Sequence, residues 1–177
     1  MRERRCTIDS SCIIALDHLE LVPNLTLLFS VILVPKAVRA DLFKRRSTKD
    51  RLRGFFDSYA FFQRCDDYDR GTVEFLLAER KRQGSKDRGE VEAVVQAAQV
   101  GAVVIVDDPW GRELAARDDI EHHGTLWVLQ RYHELELLSS VSLRDCFASL
   151  RTRGIRLPWQ KVNELLERVG QAPLSHR

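Results

Sequence analysis

Two acidic residues directly follow apolar segments that have the composition of buried strands. Asp9 comes after Cys6-Thr7-Ile8, and Asp107 comes after 102–106, the clearest predicted strand in the sequence. In an open sheet of parallel strands, ligands bind beyond the carboxyl ends of the strands. Both carboxylates are therefore expected at the edge of the sheet where chemistry would take place.

Two further acidic residues are expected close to the same edge. Asp41 lies seven residues beyond Val34, which ends another predicted strand, so it can lean back over that strand end from the following helix. Glu90 falls in the first turn of a predicted long helix. Carboxylates gathered in this way would raise one another's pKa and repel unless a cation neutralises them. Oxygen ligands without Cys or His suit Mg²⁺ or Mn²⁺, which can activate water and stabilise the oxyanions of a phosphodiester under attack.

Polar residues beside these acids have structural roles that compete with a role in the site. Ser11 is either a helix cap, as Ser10 could also be, or a partner that orients the nearby acid Asp9. Asp87 and Glu90 have the spacing of a capping box, and we assign Asp87 to the cap and Glu90 to the metal. Thr125 is expected to cap a helix and to support the site acids without binding the metal itself.

The residues that follow Asp107 are expected to divide between helix capping and phosphate binding. Asp108 precedes Pro109, whose fixed φ suits the first position of a helix, so Asp108 should cap that helix and contact a metal only indirectly. Arg112 comes one turn later. It either binds a phosphate or pairs with Asp108 or Glu113.

Basic residues are concentrated around the predicted acids, although the chain as a whole is nearly neutral. The 28 Lys plus Arg and 26 Asp plus Glu residues give a formal net charge of +2. The segment 36–53 carries eight basic residues, including the consecutive Lys44, Arg45 and Arg46, and a second basic group is 80–82. A basic rim beside an acidic pocket suits a nucleic acid whose scissile phosphate must reach the metal.

The order of the predicted elements gives the fold that positions these residues. Predicted strands at 6–8, 31–34, 59–64, 102–106 and near Ile120 alternate with predicted helices, and the connections are short. This alternation predicts an α/β protein with a largely parallel sheet covered by helices on both faces. We expect one domain over residues 1–177, with its core at about 6–170.

Other classes of protein lack their signals in this sequence. It has no P-loop, no G-x-S-x-G and no G-x-G-x-x-G, which counts against nucleotide triphosphatases, acyl transferases and dinucleotide enzymes. Its four cysteines are dispersed and form no zinc or disulfide pattern. The longest apolar run, 27–34, is too short to span a bilayer. We therefore expect a soluble cytoplasmic protein that does not bind membranes.

Five short motifs stand in a fixed order along the chain. They are I-D-S-S-x-x-I from Ile8, V-P-x-x-V-x-x-D from Val34, D-R-G-E-x-E-A from Asp87, V-D-D-x-x-x-R from Val106 and G-T-L-x-V-L from Gly124. Together they resemble the PIN-domain family, close to the compact prokaryotic members related to VapC-type toxins. The resemblance extends over about residues 6–170.

The resemblance implies a three-layer α/β/α sandwich and a metal-dependent endoribonuclease, often made with a cognate antitoxin. It carries the family's catalytic and metal-binding acids over to Asp9, Asp41, Glu90 and Asp107. Asp41 is a departure, because the family more often has Glu there and the shorter side chain reaches less far. The candidate partners are RNA, a small antitoxin protein and a second copy of the chain.

Two alternatives stay open at this point. A PIN-fold protein with little or no nuclease activity would act as an RNA-binding or protein-interaction module. A metal-dependent nuclease that cuts DNA flaps is less favoured, because the sequence shows no added clamp or arch domain.

Overall fold

The protein is built on a parallel β-sheet, seen in a computed structural model that describes residues 4–44, 53–54, 56–82 and 88–174. The sheet has the strand order β3-β2-β1-β4-β5, and every neighbouring pair is parallel. Its strands are β1 (Arg5–Ile8), β2 (Val31–Val34), β3 (Phe62–Arg64), β4 (Val103–Ile105) and β5 (His122–His123).

Helices make most of the connections between the strands and also close the chain. None of the helices in the described residues is long and apolar enough to cross a membrane. The helices are α1 (Ser10–His18), a 3₁₀ helix (Val22–Leu27), α2 (Lys36–Lys44), α3 (Arg70–Arg82), α4 (Arg88–Val100), α5 (Pro109–Arg117), α6 (Thr125–Glu134), α7 (Ser140–Thr152) and α8 (Trp159–Arg168).

The sheet is covered on both faces, as residues of its central strand show. Thr7 points to one face, where its hydroxyl donates a hydrogen bond to the Ala93 carbonyl oxygen of α4 at 2.7 Å. Cys6 and Ile8 point to the opposite face because side chains alternate along a strand, and both are fully buried. The predicted α/β architecture, with a parallel sheet covered by helices on both faces, is therefore confirmed.

Two predicted strands differ from the observed ones because turns occupy part of their sequence. The strand predicted at 59–64 is limited to Phe62–Arg64, since the Phe62 N–H donates to the Tyr59 carbonyl oxygen at 3.1 Å in a turn. The strand predicted near Ile120 begins at His122. The Ile120 N–H instead donates to the Ala115 carbonyl oxygen at 2.9 Å, at the end of α5.

Hydrogen bonds continue beyond the carboxyl ends of the central strands. The Asp9 N–H donates to the Ile105 carbonyl oxygen at 2.9 Å, and the Val106 N–H donates to the His123 carbonyl oxygen at 2.7 Å. This continuation fixes the backbone that leads into Asp9 and Asp107 at one edge of the sheet.

Candidate active site

A pocket of about 720 Å³ lies at the carboxyl edge of the sheet. Asp9 enters it from the end of β1, Asp107 and Asp108 enter it from beyond β4, and Glu90 enters it from the first turn of α4. The structure therefore brings together three of the four acids that the sequence singled out, together with Asp108.

Asp9 is at once the N-cap of α1 and an acid of the pocket. Its Oδ2 accepts hydrogen bonds from the Ser11 N–H at 3.1 Å and from the Ser11 hydroxyl at 2.5 Å. The expectation that Ser10 or Ser11 caps α1 is wrong, because Asp9 itself has the extended backbone of the cap and both serines lie inside the helix. Ser11 instead orients Asp9, which was the other role considered for it.

Asp107 is fixed by three donors. The Thr125 N–H donates to Oδ1 at 2.8 Å, while the Thr125 hydroxyl and the Cys12 thiol lie 2.6 Å and 3.3 Å from Oδ2. The backbone at Gly124 also comes close to this carboxylate. A Cβ at Gly124 would lie 2.4 Å from Asp107 Oδ1, so no side chain would fit there. Gly124 is also the N-cap of α6, so the expectation that Thr125 caps this helix is wrong. Its N–H and hydroxyl do contact Asp107, and its supporting role in the site stays a prediction.

Asp108 is the N-cap of α5. Its Oδ1 accepts a hydrogen bond from the Trp110 N–H at 2.9 Å and lies 3.4 Å from Nη2 of Arg80. The predicted cap is therefore confirmed, with the Trp110 N–H as its donor.

Glu90 and Arg80 form a buried ion pair that was not expected from the sequence. Arg80 Nη2 lies 3.1 Å from Glu90 Oε2, and the two side chains are only 6% and 3% exposed. The guanidinium carbon of Arg80 lies 4.3 Å from the centre of the Trp110 ring. Arg80 therefore does not belong to a solvent-exposed basic rim. The burial of Arg80 could have been predicted from sequence, because Val73, Leu76 and Arg80 have the i, i+3, i+7 spacing of one helix face, and this face of α3 is buried.

No donor among the described residues binds the second carboxylate oxygen of Glu90. Oε1 is buried without a partner in the part of the chain that the structure describes, and a Cβ at Gly111 would lie 2.1 Å from it. Burial, with the nearby charges of Asp108 and Asp9, raises the pKa of Glu90 to about 8 even though Arg80 acts to lower it. A cation near Oε1, in addition to Arg80, would reduce the cost of ionising the buried Glu90 carboxyl.

Asp41 lies in a different pocket from the other three acids. Lys44, three residues along α2, donates to Asp41 Oδ1 at 2.6 Å, and both residues line this second cavity together with Tyr68. Asp41 Oδ2 would be 3.3 Å from a Cβ at Gly89, so the carboxylate packs beside the residue that precedes Glu90. The structure does not bring Asp41 into the pocket of Asp9, and its role as a metal ligand stays a prediction.

Arg112 lines the pocket of acids without either of the ion pairs considered for it. Asp108 is paired with Arg80, and Glu113 with Arg117 at 3.0 Å. Arg112 Nε is buried and has no acceptor within the described ranges. Of its two expected roles, phosphate binding is the one that this arrangement favours.

Other basic residues divide between the pocket and regions away from it. Arg156, which the sequence gave no reason to select, lines the pocket from the loop between α7 and α8, two residues after Gly154, whose φ of 71° turns the chain beyond the end of α7. Lys44 is paired with Asp41 at the second cavity. Arg45 and Arg46 lie outside the described residues.

Comparison with known families agrees with this geometry. Residues 5–171 match the family model DUF3368, a PIN domain. The chain belongs to the PIN-domain family. No curated protein is a significant match to it. PIN domains are generally nucleases and typically use divalent metals, so this PIN domain has a nuclease-type fold.

The acids of this PIN domain suit a hard cation without forming a complete cage. Across residues 4–44, 53–54, 56–82 and 88–174, no three His, Cys, Asp or Glu side chains are grouped closely enough to hold a metal ion. Mg²⁺, however, is usually bound through one or two carboxylates and completes its shell with water and substrate phosphate. Glu90 Oε1, which has no partner among the described residues, fits such a site, and Asp9 and Asp107 would bind the ion directly or through its water molecules.

Proposed function

We propose that the protein is an Mg²⁺- or Mn²⁺-dependent endoribonuclease that hydrolyses RNA phosphodiester bonds. The observation that carries this proposal is the set of carboxylates Asp9, Glu90 and Asp107 lining one pocket, with Glu90 Oε1 buried and without a partner among the described residues. A carboxylate oxygen in that position gains most from a divalent cation, and PIN domains typically use one.

The residues of the pocket have separable tasks in this proposal. Asp9, Glu90 and Asp107 would hold the ion, which when bound lowers the pKa of a water molecule and neutralises charge on the phosphate. Ser11 keeps Asp9 from rotating, and Thr125 does the same for Asp107. These hydrogen bonds preorganise the oxygens, so little reorganisation is needed when substrate arrives.

Arg112 has the position and chemistry to bind the phosphate backbone of the substrate. Its partly buried guanidinium group lines the same pocket as the acids, and its Nε has no acceptor among the described residues. A planar guanidinium can bind a phosphate through two parallel hydrogen bonds, which fixes the orientation of the phosphate as well as its distance.

The central test compares Asp9→Asn with the wild-type protein on fluorescent single-stranded RNA. The wild type should cleave RNA with added Mn²⁺ or Mg²⁺ and should stop when EDTA is added, whereas Asp9→Asn should lose at least about a hundredfold in rate. The variant should remain folded, because removing one of several like charges eases repulsion. Asp145→Asn, an exposed carboxylate on α7, is the matched control.

Unchanged cleavage by Asp9→Asn would contradict the assignment of the site. A matched DNA substrate tests the alternative of a DNA-cutting enzyme, which would cleave DNA in preference to RNA.

An RNA-binding module without nuclease activity is the second candidate function. The observations that favour it are the location of Asp41 in another pocket and the lack of a preformed three-ligand cluster in the described residues. Such a module would bind RNA with strong salt dependence but would leave it intact at every concentration of Mg²⁺ or Mn²⁺.

We also propose that the enzyme acts in the cytoplasm as the toxin of a toxin–antitoxin pair, with a small antitoxin protein as its partner and self-association into a homodimer. This extends the PIN-domain resemblance to compact prokaryotic toxins. Growth arrest on expression, relieved by the product of an adjacent reading frame that co-purifies with the chain, would support the pair.

A further inference from the structure

Arg80 is a cation that the fold places permanently among the acids of the pocket. Its guanidinium lies 3.1 Å from Glu90 Oε2 and 3.4 Å from Asp108 Oδ1, measured from Nη2. The Trp110 ring lies 4.3 Å from the guanidinium carbon, and the residue is only 5% exposed. The contacts therefore join α3, which carries Arg80, to α4 and to the start of α5.

The contacts of Arg80 decide which carboxylate oxygens remain for a metal ion on this side of the pocket. Glu90 Oε2 is taken by Arg80, and Asp108 Oδ1 is shared between Arg80 and the Trp110 N–H. Glu90 Oε1, by contrast, is buried and has no partner in the described part of the chain. Glu90 can therefore offer one oxygen to a divalent ion but cannot use its second oxygen to bridge to another ion.

A pair of catalytic metal ions lies about 3.5–4 Å apart and clamps both sides of the reacting phosphate. Such a pair needs carboxylate oxygens on both sides, together with enough negative charge to offset four positive charges. Here Arg80 neutralises one charge and occupies the oxygens of Glu90 and Asp108 that face it.

We propose that Arg80 is a fixed cation of the active site and limits it to one divalent ion. The inference rests on the proposed function, in which the pocket binds a divalent ion. Arg80 is a positioning residue in this scheme: it orients Glu90 so that Oε1 is left for the ion, and it substitutes for the charge of a second ion. The stacking on Trp110 prevents the guanidinium from swinging out into solvent.

The test is the stoichiometry of Mn²⁺ binding to the full chain, measured by calorimetry and by electron paramagnetic resonance. The wild type should bind one Mn²⁺ per chain, without the spin coupling that two neighbouring Mn²⁺ ions show. Arg80→Met should either bind a second Mn²⁺ or bind the first about tenfold more tightly, because a positive charge near the ion has been removed. Arg80→Lys, which keeps the positive charge, should still bind one Mn²⁺ per chain.

Arg117→Met is the matched control, because Arg117 also pairs with two glutamates, Glu79 and Glu113, but lies on the exposed side of α5. It should bind Mn²⁺ as the wild type does. Two spin-coupled Mn²⁺ ions in the wild type or in Arg80→Lys would overturn the proposal. So would Arg80→Met with unchanged stoichiometry and an affinity within about twofold of the wild type, which would make Arg80 a purely structural residue.

The inference and the proposed function fail in different ways. Because the wild type and Arg80→Lys are measured independently, the proposal stays testable even if Arg80→Met does not fold. A chain that binds one Mn²⁺ but cleaves no RNA would contradict the ribonuclease and support the role of Arg80. A chain that binds two Mn²⁺ ions and cleaves RNA would support the ribonuclease and contradict the role of Arg80. A chain that binds no Mn²⁺ would contradict both proposals.

Discussion

At the scale of single residues, two adjacent carboxylates have different roles because different donors hold them. Asp107 is surrounded by Thr125 and Cys12 from two helices, whereas Asp108 binds the backbone N–H of Trp110 at the start of its own helix. The cap could be predicted from sequence, because it depends on the local signal of an Asp before a Pro. The donors of Asp107 could not, because they come from residues 95 positions earlier and 18 positions later in the chain.

Substitutions at these two positions should therefore separate metal binding from stability. Asp107→Asn should lose Mn²⁺ affinity and cleavage with little change in stability, because the amide oxygen can still accept from the Thr125 N–H and the amide nitrogen can donate to the Thr125 hydroxyl oxygen. Asp108→Ala should lose about 1 kcal/mol as a missing helix cap and keep most of its Mn²⁺ affinity. Calorimetry with Mn²⁺ and urea unfolding without metal would measure both effects. The opposite outcome, with Mn²⁺ lost by Asp108→Ala and retained by Asp107→Asn, would exchange the roles of the two residues.

The buried carboxyl of Glu90 should make the metal-free protein less stable as the pH rises. Its pKa is raised from 4.5 to about 8 in the folded state, chiefly by burial. The fold therefore favours the protonated form, so this contribution to stability is complete below about pH 4.5 and is lost as the pH rises through about 8.

Glu90→Gln cannot ionise at this position, so it should not lose stability as the pH rises. Without metal, its free energy of unfolding relative to that of the wild type should increase by on the order of 1–3 kcal/mol between about pH 5 and pH 9. Urea unfolding across this range in the presence of EDTA would measure the difference. Glu113→Gln is the control, since Glu113 is an exposed carboxylate on α5. Parallel curves for the wild type and Glu90→Gln would contradict the prediction.

At the scale of elements, strong local signals predicted the sheet and most helices correctly. The β-branched run of β2 and the proline at the start of α5 lie where the sequence indicated. The site was harder to predict, because it also depends on how elements pack. Arg80 reaches the acids because α3 turns its apolar stripe inward, and Arg156 reaches them because a loop after α7 lies beside the pocket.

The packing of α5 against α4 should be intolerant of a single added methyl group at Gly111. A Cβ there would lie 2.1 Å from Glu90 Oε1 and 2.8 Å from Val106 Cγ2. Gly111→Ala should therefore displace Glu90, reduce Mn²⁺ affinity and cost about 1–3 kcal/mol of stability. Gly54→Ala is the matched control, because no atom of the described residues lies within 4 Å of a Cβ at that position. Equal Mn²⁺ affinity and stability in Gly111→Ala and the wild type would show that α5 can move aside.

At the scale of the whole molecule, the distribution of charge matters more than its sum. A formal net charge of +2 gives little general attraction for nucleic acid. The acid pocket, however, has Arg112 on α5 and Arg156 on the loop between α7 and α8 among its lining residues. Because these residues come from separate parts of the chain, the arrangement of cations around the acids is a property of the complete fold.

Replacing both arginines should weaken RNA binding in a way that depends on salt. Each phosphate contact with a single strand contributes about 0.7 to the slope of log affinity against log salt, so Arg112→Gln with Arg156→Gln should lower that slope by about 1.4. The measurement is best made in the Asp9→Asn background, where binding is separated from cleavage. Arg117→Gln is the control, because Arg117 is already paired with Glu79 and Glu113 and does not line the pocket. If the double variant keeps the affinity and slope of its parent, RNA approaches the acids from another side, and the two arginines serve some other purpose.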